Sequence, residues 1–128
     1  MERQSSMTVV LATIHTSPAA ANEQFTDVIV HVNARVLSAA QVRRKVNGWL
    51  MLEVGDRLLA GEPELVLGEQ LIWRVPVDWT SPSTGTLART HLLVMVDAAT
   101  GAILPDSPTP QEIESHVAAL ARTVRSAA

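Results

Sequence analysis

The side chains with chemistry to offer are few and dispersed. Four histidines stand at positions 15, 31, 91 and 116. No two of them have the His-x-His or His-x-x-x-His spacing that sets two imidazoles on one metal ion. His31 and His91 fall on outward faces of expected strands, where Asp78 or Asp97 could complete a ligand set only if those strands were neighbours. Solvated or interface histidines are the simpler reading. Asp78 and Asp97 are a candidate carboxylate pair, but Arg89 competes for Asp78. Ser81 and Ser83 sit in "TSPSTG", which has no G-x-S-x-G elbow around it. A nucleophile needs an activating base and an oxyanion donor, and neither is evident here. Turn geometry accounts for both serines. The glycines are scattered and form no phosphate cradle. No cysteine is present, which removes thiol chemistry, Cys-ligated zinc and disulfides. The residue types therefore point to no catalytic centre, no metal and no cofactor.

Composition narrows the class further. A chain of 128 residues is by default one domain. At that length it buries roughly two-thirds of its unfolded surface, so it folds without a metal or a disulfide. Hydrophobic residues are 47% of the chain, which excludes a mainly disordered protein. Aromatics are 3%, namely Phe25, Trp49, Trp73 and Trp79, so the core must be aliphatic. The net charge is −3, and the densest basic cluster is Arg43, Arg44 and Lys45. Neither a basic stripe nor a stacking platform for nucleic acid is offered. No run of about twenty apolar residues exists to cross a membrane. "MTVVLATI" (Met7 to Ile14), followed by a small-residue cleavage site after Ala21, has the outline of a signal peptide. The barely positive leader, Thr8 and Thr13 inside the run, and His15 after it argue instead for a cytoplasmic chain.

The elements that must position these residues follow from periodicity. Residues 1–24 read as a flexible segment or an added edge strand, and residues 25–128 as a single α+β domain. "DVIVHVNARVL" alternates strictly, which predicts a half-buried strand with Val28, Val30, Val32, Ala34 and Val36 inward. Ser38 with Gln41 makes a capping box. It opens a long helix with Val42, Val46, Trp49, Leu50 and Leu58 at helical spacing, expected to stop at Gly61. Gly48 and Gly55 inside it invite the close approach of another element, or are simply tolerated. "PELVLGEQ" is a short strand, or the beginning of the next one with a bulge at Gly68.

"LIWRVPVDWT" carries Leu71, Trp73, Val75, Val77 and Trp79 on one face and Ile72, Arg74, Pro76 and Asp78 on the other. Pro76 has no ladder donor and belongs at an edge or a non-bonded position. After the turn, "LARTHLLVMVD" returns with Ala88, Thr90, Leu92, Val94 and Val96 on one face. Matching the apolar faces pairs Trp79 with Ala88, Val77 with Thr90, Val75 with Leu92 and Trp73 with Val94, since a one-residue slip would oppose unlike faces. Asp78 then lies opposite Arg89, and shifts by two residues keep the faces matched. "DAATG" turns the chain again, "AILP" gives a short last strand, and Thr109, Pro110 and Glu112 cap a second helix. Ile113, Val117, Leu120 and Val124 are its apolar stripe. The fold class is α+β: an antiparallel meander of about four strands packed against one long helix, with a C-terminal helix.

A capped helix followed by a meander whose last hairpin reads "VMVDAATGAIL" resembles PepSY-like domains over roughly Ser38 to Leu104. The matching turn residues are Val96, Asp97, Thr100 and Gly101. The resemblance implies a small α+β module, generally non-catalytic, several of whose members are extracytoplasmic and act as inhibitory or interaction modules beside peptidases. The added C-terminal helix and the weak leader depart from that pattern.

The outer sheet face is the feature that asks for a partner. Ile72, Leu93 and Met95 share it with Arg74, Arg89 and His91, and Trp79 at the strand end is a further contact candidate. Either the C-terminal helix or a second copy of the chain must cover these apolar groups. The expected function is a non-enzymatic interaction or regulatory module, working as a homodimer or beside another protein, with no nucleic-acid or membrane partner. Two alternatives stand beside it. One is a small-molecule binder or enzyme with a helix–sheet pocket lined by Trp49, Trp73 and His91. The other is an antitoxin-like or inhibitory partner whose acidity masks a basic protein.

Overall fold

The computed structural model describes residues 11–17, 24–55, 57–82, 85 and 87–127. They form β1 (Leu11–Ser17), β2 (Asp27–Asn33), α1 (Ala39–Glu53), β3 (Leu58–Ala60), β4 (Glu64–Leu67), β5 (Leu71–Thr80), β6 (Leu87–Asp97) and α2 (Pro110–Ala127). By internal contacts the chain divides between Val36 and Leu37 into two units. The proposed cleavage point at Ala21 and the first residues of the apolar run, 7–10, lie outside the described residues, as does Ser83.

The first unit is a two-stranded antiparallel ribbon. β1 pairs with β2 in register from Leu11 opposite Asn33 to Ser17 opposite Asp27. Alternation forms the strand as expected, but it stops at Asn33, and its valine face is not inward. Val28 is 52% exposed and Val30 46%. Among its described residues this unit holds only these two strands and no layer of its own to bury a face against, so alternation alone does not make a core of it.

The second unit is a sheet with both helices on one face. Ser38 Oγ accepts the amide of Gln41 at 3.2 Å and starts α1. Val42, Val46 and Leu50 are its fully buried stripe. The helix ends at Glu53 rather than at Gly61. The amides of Val54 and Gly55 both turn back onto the Leu50 carbonyl at 2.9 Å, which closes the last turn. A Cβ on Gly48 or Gly55 would meet nothing within 4 Å, so close approach explains neither glycine. Leu58, expected on the helix, instead begins β3 and pairs with Trp79. Asn47 reaches across from α1, its Oδ1 accepting the Ala60 amide at 2.7 Å.

β5 is the hub of this sheet. β6 runs along one edge; β3 and β4 lie in succession along the other. The break between them, at residues 61–63, is where Pro76 falls. The Pro76 carbonyl accepts the Gly61 amide at 2.8 Å. A strand residue aims its N and O at the same neighbour, so the missing proline donor faces this gap. Gly61 is needed there, because a Cβ would come within 2.9 Å of Pro76 Cγ and 3.0 Å of Asp78 Oδ2. β4 is a strand in its own right, joined to β5 by a tight loop in which Gly68 N bonds Gln70 O.

The β5–β6 register starts as expected, with Trp79 opposite Ala88 and Asp78 opposite Arg89. It then shifts. Val75 pairs with Val94 and Trp73 with Val96, not with Leu92 and Val94. A bulge absorbs the two extra residues beside Val77. Thr90 Oγ1 donates to the Val77 carbonyl at 2.7 Å and accepts the Leu92 amide at 3.2 Å. His91 adopts φ 66°, the left-handed region that non-glycine residues avoid. Because the shift is even, every side chain keeps its face. "AILP" makes one bridge, Ile103 to Val96, and not a strand. Along the same edge of β6, Leu104 N donates to Met95 O and Met95 N to Ser107 Oγ, each at 2.8 Å.

α2 is capped reciprocally: Glu112 N donates to Thr109 Oγ1 at 3.1 Å and Thr109 N to Glu112 Oε1 at 2.8 Å. Its Ile113 is fully buried in the cluster that holds Val42, Val46, Leu50, Val75, Val77, Trp79, Val94 and Val96. Val117, Leu120 and Val124 pack against the same cluster. The second helix therefore lies on the inner face beside the first. No helix among the described residues is long and apolar enough to cross a membrane.

Candidate functional site

The sheet face turned away from both helices is built row by row from the pairing. Residues directly opposite in a ladder share a face. One row is Leu59, Asp78 and Arg89; the next is Pro76 and Leu93; then Glu64, Arg74 and Met95; then Val66, Ile72 and Asp97. Leu59 is 49% exposed and Leu93 37%, while Ile72, Met95, Val66 and Pro76 are half-buried. Six of the seven sequence-derived contact candidates sit on this face or in its bulge: Ile72, Arg74, Arg89, His91, Leu93 and Met95. Trp79 does not. It is 4% exposed and belongs to the core. A strand-end position promised an accessible indole; the packing of Trp79 among Leu58 and the helices removes it.

The charges on this face are unevenly satisfied. Arg74 Nη2 meets Glu64 Oε1 at 2.6 Å, while its Nε is shielded from water with no hydrogen-bond partner. Arg89 stands across from Asp78, yet no ion pair joins Arg89 to any described residue. Asp97 Oδ1 is committed to its own turn, accepting the amides of Ala99 at 2.8 Å and Thr100 at 3.0 Å. Asp78 and Asp97 mark opposite ends of β5. The six residues between their rows span about 20 Å, so they are not a carboxylate pair.

The pocket expected between Trp49, Trp73 and His91 is not formed. Trp73 faces the helices and donates its indole N–H to the Leu37 carbonyl at 3.0 Å. His91 is exposed in the bulge. In the ribbon, His15 and His31 approach edge to face, with ring centroids 5.3 Å apart. No group of three or more His, Asp or Glu side chains able to hold a metal occurs among the described residues.

Two clefts of the second unit were not foreseen. One, of about 290 Å³, lies between the end of α1, β3 and α2 and is lined by Val54, Leu58, Trp79 and Val117, with Arg57 and Glu114. The other, of about 330 Å³, lies between α1 and the Asp97–Gly101 turn and is lined by Leu37, Gln41, Arg44, Lys45 and Thr100. The basic run 43–45 and the turn were each visible in the sequence. Their meeting was not, because about 56 positions separate Lys45 from Gly101 and no periodicity links them. No family model, no curated protein and no solved structure matches this chain.

Proposed function

We propose that this chain is a non-enzymatic module that acts by protein contact, its outer sheet face meeting the same face of a second copy. The observation that carries this is the placement of α2. With Ile113 in the core shared by α1, neither helix is left to cover Leu59, Leu93 and Met95 on the opposite face. A second copy suits the charges of this face. They are of both signs and lie beside apolar groups, which lets an isologous pairing set opposite charges against one another. The likeness of the Val96–Gly101 hairpin to PepSY-like domains, generally non-catalytic interaction modules, supports the same reading.

Light scattering on the eluting protein measures the mass directly. A dimer across the micromolar range, converted to monomer by Leu59→Asp with Leu93→Asp, is the expected result. A monomer at every concentration overturns the homodimer. A monomer that binds a different protein through the same residues replaces it with the inhibitor-like reading. The cleft beside Trp79 favours a second function, small-molecule binding, because it is apolar with one cation and one anion at its rim. A saturable change in tryptophan emission on titrating a metabolite library would support that function.

A further inference from the structure

The cleft between α1 and the Asp97–Gly101 turn has no role in the contact surface, and its chemistry is of one kind. Each polar residue that lines it, Arg44, Lys45, Gln41 and Thr100, carries a side-chain hydrogen-bond donor. The Thr100 oxygen accepts the Ala102 amide at 3.2 Å, which leaves its own proton to give. Among the described residues, no carboxylate lines the cleft.

The two cations are unneutralised. Arg43, beside them in sequence, pairs with Glu62 at 3.6 Å, but no ion pair engages Arg44 or Lys45 among the described residues. This happens in a chain of net charge −3, so a surplus of basic residues is not the cause. The first turn of α1 also holds no acidic residue to offset the positive end of the helix.

The Lys45 stem lies against Gly101. Gly101 has φ +81°, and a Cβ built on it would lie 2.2 Å from Lys45 Cε and 2.7 Å from Lys45 Cδ. The lysine stem occupies the slot that the missing side chain leaves. Asp97 fixes the same turn through its two amide bonds. The lysine stem thus packs on the turn that carries Thr100, which brings the two donors to one cleft.

We infer that this cleft binds the phosphate group of a small phosphate monoester. Its volume is at the low end of small-molecule sites and exceeds what the phosphate group alone needs, so the organic part contacts Leu37 and the lysine stem. Arg44 takes the phosphate oxygens in its planar fork and Lys45 supplies a point charge.

Phenyl phosphate, inorganic phosphate and benzoate, each titrated into the full chain at constant ionic strength, test this by amide NMR. The expected result is saturable shifts at Gln41, Arg44, Lys45, Thr100 and Gly101 with phenyl phosphate. Inorganic phosphate binds more weakly, and benzoate more weakly still. The surface double variant Arg44→Gln with Lys45→Gln keeps its fold and loses at least tenfold in affinity. Three results overturn the inference: no saturable shift with phenyl phosphate, equal shifts with benzoate, or undiminished binding in the double variant.

Discussion

The pairs β1–β2 and β5–β6 are built from the same alternating aliphatic chemistry and end in opposite states. In the first, Val28 and Val30 stay about half exposed; in the second, Val75, Val77, Val94 and Val96 are fully buried. Strand-forming tendency does not separate them, since both are rich in β-branched residues. What separates them is the second layer. The β5–β6 pair has the stripes of α1 and α2 laid on it, and among its described residues the ribbon has no helix of its own. Alternation makes a strand, and an amphipathic helix makes that strand a core.

The sharpest way to break this comparison is to place one charge in each region. Val46→Asp puts an unpaired carboxylate where no water reaches and should cost more than about 4 kcal/mol, enough to unfold the second unit. Val30→Asp in the ribbon should leave the urea midpoint, followed by tryptophan emission, where it was. Truncating side chains is gentler. Trp79→Ala should cost about 3–5 kcal/mol, against less than about 0.5 kcal/mol for Ile14→Ala. Thr90→Val removes the hydroxyl that bonds Val77 and Leu92 and leaves both backbone groups short of a partner. A loss of about 1–3 kcal/mol in chemical denaturation is expected. The smallest effect has the opposite sign. His91→Gly relieves a left-handed backbone and should raise stability by up to about 1 kcal/mol, partly offset by glycine's entropy in the unfolded chain. The same substitution at His31, in extended β2, should destabilise the ribbon.

Much of the second unit could be read from its residues because local signals agreed with the global packing. Ser38, Thr109 and Glu112 announced both helix starts. The alternation from Leu71 to Trp79 put both tryptophans toward α1 and Arg74 on the far side. The features that escaped are those that depend on distant residues. The sequence predicts a longer α1 because Leu58 continues its period; only pairing with Trp79 makes that residue a strand. The bulge at Thr90–Leu92 preserves the alternation of "LARTHLLVMVD", so nothing in that pattern betrays it. On the outer face, six contact candidates followed from phase alone. The burial of Trp79 departs from its strand-end position because it is decided by helices that approach from elsewhere in the chain.

The proposal that most needs a test is that the face turned away from both helices, and not the ribbon, meets a second copy of the chain. Methyl NMR through a dilution series tests it at the residues concerned. Signals from Leu59, Leu93 and Met95 should shift with concentration, while those of Leu11, Ile14 and Val30 stay fixed. Concentration-dependent shifts confined to the ribbon methyls, with Leu59, Leu93 and Met95 unmoved, would contradict it.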